Sequence, residues 1–168
     1  MRRATVLMMF VVFLAAASEA AAQATIFLVR HAERADAGTP SAGTMGNDPD
    51  LSDVGRQRAA SLAAMLADAQ ITAIYATEYK RTRQTAEPLA RALKLEVTTV
   101  KANESSRLVE LLKGASGSAL VVGHSNTVPE IMKALGVAMP VTIAESEYDN
   151  LFVVTMGATP GVVRLRYR

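Results

Sequence analysis

The sequence predicts a single α/β domain: a three-layer sandwich with a mostly parallel central sheet flanked by helices. Three observations carry this prediction. Strand-length apolar runs alternate along the chain with segments whose apolar residues recur at helical spacing. Two of the runs, IFLV and ALVV, are continuously apolar, as strands covered on both faces must be. No internal repeat and no linker divides the chain, and 168 residues suffice for one sizeable core and no more.

The elements follow in order. TIFLV (25–29) is a short central strand, and AGTPSAGTMGNDPD (37–50), dense in Gly, Pro, Ser and Asp, is a long loop. Ser52 or Asp53 caps a helix within LSDVGRQRAASLAAMLADA, where Ala59, Leu62, Leu66 and Ala69 share one face. ITAIYAT (71–77) is the next strand. RTRQTAEPLARAL (81–93) is helical, with Pro88 either opening a second segment or kinking the first. LEVTTV (95–100) is a third strand, and SSRLVELLKG (105–114) a short amphipathic helix stopped at Gly114. SALVVGH (118–124) repeats the opening pattern, an apolar strand ending on histidine. NTVPEIMKALG (126–136) is a helix with Gly136 just past its end. NLFVVTM (150–156) and VVRLRYR (162–168) form a closing hairpin around GATPG.

Composition narrows the class. Half the residues are apolar and a fifth charged, which is globular rather than disordered composition. With no Trp, four Phe and four Tyr, the core must come from Ala, Leu and Val. The formal net charge is +2, and basic residues neither cluster nor interleave with aromatics, so a nucleic-acid partner is not expected.

The N-terminus reads separately. MRR is a basic head, Val6 to Ala17 an apolar run of about 12 residues, and AAQA a small-residue cleavage region: the layout of a secretory signal peptide. The run falls short of the roughly 20 residues that span a bilayer as a helix. We therefore expect residues 1–22 to be a signal peptide, cut after Ala22 or Ala24, and residues 23–168 to be the domain. A secreted or periplasmic protein without a stable membrane anchor follows; an uncleaved anchor is the alternative. Without cysteine, neither a lipidated N-terminal cysteine nor a disulfide is available.

In parallel sheets ligands bind beyond the carboxyl ends of the strands. Both histidines of the chain, His31 and His124, close apolar strands there, as does Arg30, while Arg81 follows the end of a third. Arginine offers a planar fork of donors suited to phosphate oxygens, and a helix starting after His124 adds N–H groups and a positive dipole end. A histidine kept neutral by neighbouring cations can attack phosphorus. One Arg-His pair or one GHS is weak evidence and fits an ordinary ion-paired rim. Coincidence at three strand ends favours a phosphate site.

LVRHAE, DLSDVGRQRA, ATEYKRTRQTA and VVGHSNT, in that order, resemble the histidine phosphatase superfamily, the phosphoglycerate-mutase-like group whose hallmark is an Arg-His-Gly triplet. The resemblance spans residue 26 to about 127. It implies His31 as the nucleophile that becomes phosphorylated, and Arg30, Arg81 and His124 as the phosphate pocket. Arg81 rather than Arg83 matches, standing three residues before Gln84. The triplet's glycine is Ala32 here, which is expected to narrow the pocket slightly. No motif fixes the general acid. Glu104, in the loop after LEVTTV, occupies the place the family uses, with Glu33, Asp36 and Glu110 as fallbacks.

The implied reaction is a metal-independent, cofactor-free hydrolysis of a phosphate ester in two steps through phospho-His31. Arg30, Arg81 and a protonated His124 would stabilise the transferring group. The partner is a phosphorylated substrate, a small ester or a phosphoprotein. Other classes fit less well. A serine hydrolase built on GHSNT needs a histidine after Ser125, and none follows. Zinc-type HExxH and paired cysteines are absent. A phosphate-binding scaffold without turnover, or a phosphomutase, stays open. The loop 37–50 and VTIAESEYDN (141–150) are expected to flank the pocket. Glu145, Glu147 and Asp149 read there first as solvated charges, otherwise as groups that repel acidic substrates or bind a basic portion.

Overall fold

The computed structural model describes residues 24–36 and 48–167. The expected signal segment and most of the 37–50 loop lie outside them. In chain order the elements are β1 (Thr25–Arg30), α1 (Asp53–Leu66), β2 (Ile71–Ala76), α2 (Lys80–Leu93), β3 (Val97–Thr99), α3 (Ser105–Lys113), β4 (Ser118–Gly123), α4 (Thr127–Ala134), β5 (Asn150–Thr155) and β6 (Gly161–Arg166). They build one six-stranded sheet in the order β3-β2-β4-β1-β5-β6. The first four strands are parallel, and β5 and β6 run antiparallel as a hairpin.

Side chains alternate across a strand, so each central strand feeds two cores. Ile26 and Leu28 of β1, with Ala119 and Val121 of β4, face the core made by Leu108 and Leu112 of α3 and Val128, Ile131 and Met132 of α4. Val29, Leu120 and Val122 face the other side, against Leu62 and Leu66 of α1 and Ala86, Leu89 and Ala90 of α2. That two-sided burial explains why IFLV and ALVV are apolar without a break. Each fully buried Leu, Ile or Val contributes about 1.5–3 kcal/mol.

β1 extends one residue beyond its apolar run because Arg30 pairs with Gly123. β3 is shorter than its sequence suggests: at the sheet edge it pairs only with β2. Helix α2 runs through Pro88 as one element, so no second segment opens there. Ser52, rather than Asp53, caps α1, its hydroxyl accepting from the Gly55 N–H at 3.0 Å.

The topology also places a site. After β1 the chain passes to α1 on one face, and after the neighbouring β4 it passes to α4 on the other. Two adjacent parallel strands whose connections diverge leave a crevice at their carboxyl ends. His31 and His124 are the residues that follow those two strands.

Candidate active site

The pairing of β1 with β4 continues past the strand ends, where the His31 N–H donates to Gly123 O at 2.9 Å. The His31 ring is 3% exposed, and its Nδ1 lies 2.8 Å from Ala32 O. A carbonyl only accepts, so Nδ1 carries the hydrogen and Nε2 keeps its lone pair. Burial drives the imidazole far below its ordinary value, to about 2. The bond to Ala32 opposes that shift, while His124, Arg30 and Arg81 add to it. His31 is a neutral ring with one bare nitrogen, which is the form a nucleophile needs.

His124 stands opposite, its ring centroid 5.4 Å from that of His31. Its partners lie on the corner between β2 and α2. Thr82 Oγ1 is 2.7 Å from Tyr79 O and 3.0 Å from Thr77 O, so its proton serves those carbonyls. The Thr77 hydroxyl therefore donates to Thr82 Oγ1 at 2.9 Å and accepts from His124 Nε2 at 2.8 Å. This chain of hydroxyls puts a hydrogen on Nε2 and leaves Nδ1 for a ligand. Burial, then Arg81 and Arg30, lower the His124 imidazole to about 4. An arriving phosphate dianion acts the other way and favours the imidazolium.

The two arginines differ. Arg30 is largely committed to the 144–147 segment. Its Nη1 donates to Ala144 O and Glu145 O, both at 2.9 Å, and to Glu147 O at 3.3 Å, while Nη2 meets Glu145 Oε2 at 2.8 Å. Arg81 is 3% exposed and stacks on the Tyr79 ring at 4.3 Å, with Asp48 3.6 Å from Nη1. Arg30 Nε, Arg81 Nε and Arg81 Nη1 are buried donors with no hydrogen-bond acceptor among the described residues. Orphaned buried donors are costly, and three on two cations lining one cavity suit an anionic ligand.

Arg30, His31, Arg81 and His124 all line one cavity of about 610 Å³, with Arg34, Glu78, Tyr79, Asn103, Ser125, Glu130 and Glu145. The four groups assigned from sequence thus converge. The proposed general acid does not join them. Glu104 is the residue before α3, where its carboxylate pairs with Arg107 at 3.5 Å, and it does not line the cavity, although its neighbours Ala102 and Asn103 do. The fallbacks are also elsewhere: Glu33 is held bidentately by Arg58, Asp36 pairs with Arg34, and Glu110 sits exposed on α3. Ala32 does not narrow the pocket. Its N–H donates to Thr85 Oγ1, and it packs with Leu51 and Ala59 under the loop.

Glu145 overturns the solvated reading. Although 82% exposed, its carboxylate bridges Arg30 and the Ser125 hydroxyl, the latter at 2.6 Å. The Ser125 bond first, then Arg30, hold it below the usual carboxylate range. Glu147 and Asp149 pair instead with Arg164 and Arg166 of β6. The sequence reading also missed Thr77, Glu78, Tyr79 and Tyr148, the last stacked on Arg30 at 4.2 Å. Thr77 and Tyr79 were within reach, since they flank the strand end that supplies Arg81. Nothing in the sequence pattern marks Tyr148.

Among solved structures, the fold resembles the mycobacterial glucosyl-3-phosphoglycerate phosphatase Rv2419c in complex with VO3, with a TM-score of 0.70 at 16% identity, covering 86% of this chain and 99% of that one. A protein of Agrobacterium tumefaciens assigned as the phosphohistidine phosphatase SixA matches with a TM-score of 0.59 at 22% identity, over 86% and 97% of the two chains. A protein of Escherichia coli K-12 assigned as an alpha-ribazole-5'-P phosphatase gives 0.70 at 12% identity, over 86% and 96%. At these identities the likeness concerns the fold. No curated protein matches. Residues 26–111, more than half of the sequence and including Arg30, His31 and Arg81, match the family model of the histidine phosphatase superfamily (branch 1), and the chain belongs to that superfamily.

Proposed function

We propose that the protein hydrolyses phosphate monoesters through a phosphohistidine on His31 and does so outside the cytoplasm. The observation that carries the reaction is the trio of buried guanidinium nitrogens on Arg30 and Arg81 that hydrogen-bond to no described residue, beside a neutral His31 with a bare Nε2. A phosphoryl group supplies the acceptors those donors lack, and its phosphorus then stands before the ring nitrogen. Nε2 attacks in line, Arg30 and Arg81 hold the equatorial oxygens, and His124 donates from Nδ1 once charged. A carboxylic acid at the cavity protonates the leaving oxygen, and water then releases phosphate from the histidine. The guanidinium charge does here what a divalent cation does elsewhere, so the reaction is expected to run in chelator. The naming of fold neighbours as phosphatases supports the class. The extracytoplasmic setting rests on the N-terminal sequence alone.

Release of p-nitrophenol from p-nitrophenyl phosphate by the mature protein tests the reaction. The expected result is metal-independent turnover, lost by at least about 10³-fold in His31→Ala. Phosphate binding with no product release would instead identify a non-catalytic scaffold. Cell fractionation tests the location, and recovery of the intact 168-residue chain from the cytoplasm would contradict it.

A further inference from the structure

We propose that Glu78, and not Glu104, moves the proton to and from the reacting oxygen. This assignment rests on the phosphatase reading above. Among the described residues, three carboxylates line the cavity: Glu78, Glu130 and Glu145. Glu145 is locked between Arg30 and Ser125, and those bonds keep it ionised, so it has no proton to give. Glu130 lies exposed in the first turn of α4, and no hydrogen bond or ion pair with the described residues aims its carboxylate.

Glu78 is held in place on both sides. Before it, Thr77 bonds His124; after it, Tyr79 sets its ring 5.3 Å from that of His124 and lies under Arg81. The carboxylate itself is anchored at one oxygen, Oε2 accepting from the Ala102 N–H at 2.8 Å. A protonated carboxyl keeps that bond through its carbonyl oxygen and presents the hydrogen on Oε1. One oxygen fixed and the other free is the arrangement that proton transfer requires.

The step balances. The Nε2 lone pair of His31 forms the N–P bond while the ester P–O bond breaks with its electron pair on oxygen. Glu78 Oε1–H passes its proton to that oxygen, and the alcohol leaves neutral. Water then forms a new P–O bond as the N–P bond breaks, returning its electron pair to Nε2. Ionised Glu78 takes the proton from the water, and phosphate is released.

Leaving groups discriminate the roles, because a poor one needs the proton and a good one does not. The full-length mature protein, Glu78→Gln and Glu104→Gln would be assayed on p-nitrophenyl phosphate and on a simple alkyl monophosphate such as 2-phenylethyl phosphate. Melting curves would confirm that each variant is folded. In kcat/KM, which reads only the steps up to phosphorylation of His31, Glu78→Gln is expected to lose about 100-fold on the alkyl ester and under tenfold on the nitrophenyl ester, while Glu104→Gln tracks the wild type on both. If Glu104→Gln shows the selective loss, or if Glu78→Gln loses both substrates equally or neither, the assignment is overturned. A wild-type protein that turns over neither ester would sink the phosphatase reading itself, a result the variants cannot mimic.

Discussion

At the scale of single residues, two tautomers matter more than any distance. Ala32 O fixes hydrogen on His31 Nδ1, and the Thr77–Thr82 pair fixes hydrogen on His124 Nε2. Each ring is left with its other nitrogen free, in the proposed reaction one to attack and one to donate once protonated. Replacing Thr77 by Val keeps the shape and removes the acceptor, leaving the His124 Nε2–H orphaned. We expect kcat to fall about tenfold to a hundredfold, with KM less affected and Thr77→Ser restoring most of the rate. The ¹⁵N shifts of the His124 ring give an independent readout. They should report hydrogen on Nε2 in the wild type and a shift of the tautomer balance in Thr77→Val. An unchanged tautomer with a lost rate would refute the positioning role.

At the scale of elements, the mount of His31 is the end of a buried strand clamped by a helix. Helix α1 approaches so closely that a Cβ on Gly55 would lie 2.2 Å from Glu33 O, and Ser52 N–H also donates to that carbonyl. Backbone cannot yield as a side-chain tip does, so Gly55→Ala must push the 31–33 loop. The expected cost is about 1–3 kcal/mol of stability, read from urea melts, with a drop in kcat because His31 moves with the loop. Unchanged activity in a destabilised Gly55→Ala would show that loop and nucleophile are uncoupled.

The same elements explain what was legible from sequence. Strand ends were visible because two-sided burial writes unbroken apolar runs, and polar residues that stop such runs are conspicuous. Arg30, His31 and His124 declared themselves that way. Thr77 did not, because a threonine before a helix looks like an ordinary turn residue until His124 is seen bonded to it. Glu104 pairs with Arg107 one turn further along α3 and does not line the cavity, a direction the sequence pattern does not show. Glu145 was misjudged because its partner, Arg30, lies 115 positions away in the chain.

At the scale of the whole molecule, the site costs stability in acid. Both histidines are buried neutral, with folded values near 2 and 4 against an ordinary 6.5. Below about pH 6.5 the unfolded chain binds protons that the folded chain refuses, so stability rises with pH there and is lost as pH falls. The loss continues until each folded value is reached, near 4 for His124 and lower for His31. Each group contributes a slope of up to about 1.4 kcal/mol per pH unit. The melting temperature should therefore drop between pH 7 and pH 5, and drop less in a His31→Asn/His124→Gln double variant. Inorganic phosphate should raise the melting temperature of the wild type at pH 7, since it binds only the folded pocket. An Arg81→Ala protein should lose most of that rise.

The central claim is that His31 becomes covalently phosphorylated, and it can be read directly. Mixing the protein with excess substrate, quenching in alkali within milliseconds and mapping the peptides by mass spectrometry should reveal a phosphoryl group on His31. That group should be stable in base and lost in acid, and it should be absent from the His31→Ala protein. Steady turnover with no phosphorylated His31 at any quench time, or a phosphoryl group found on another residue, would contradict the account.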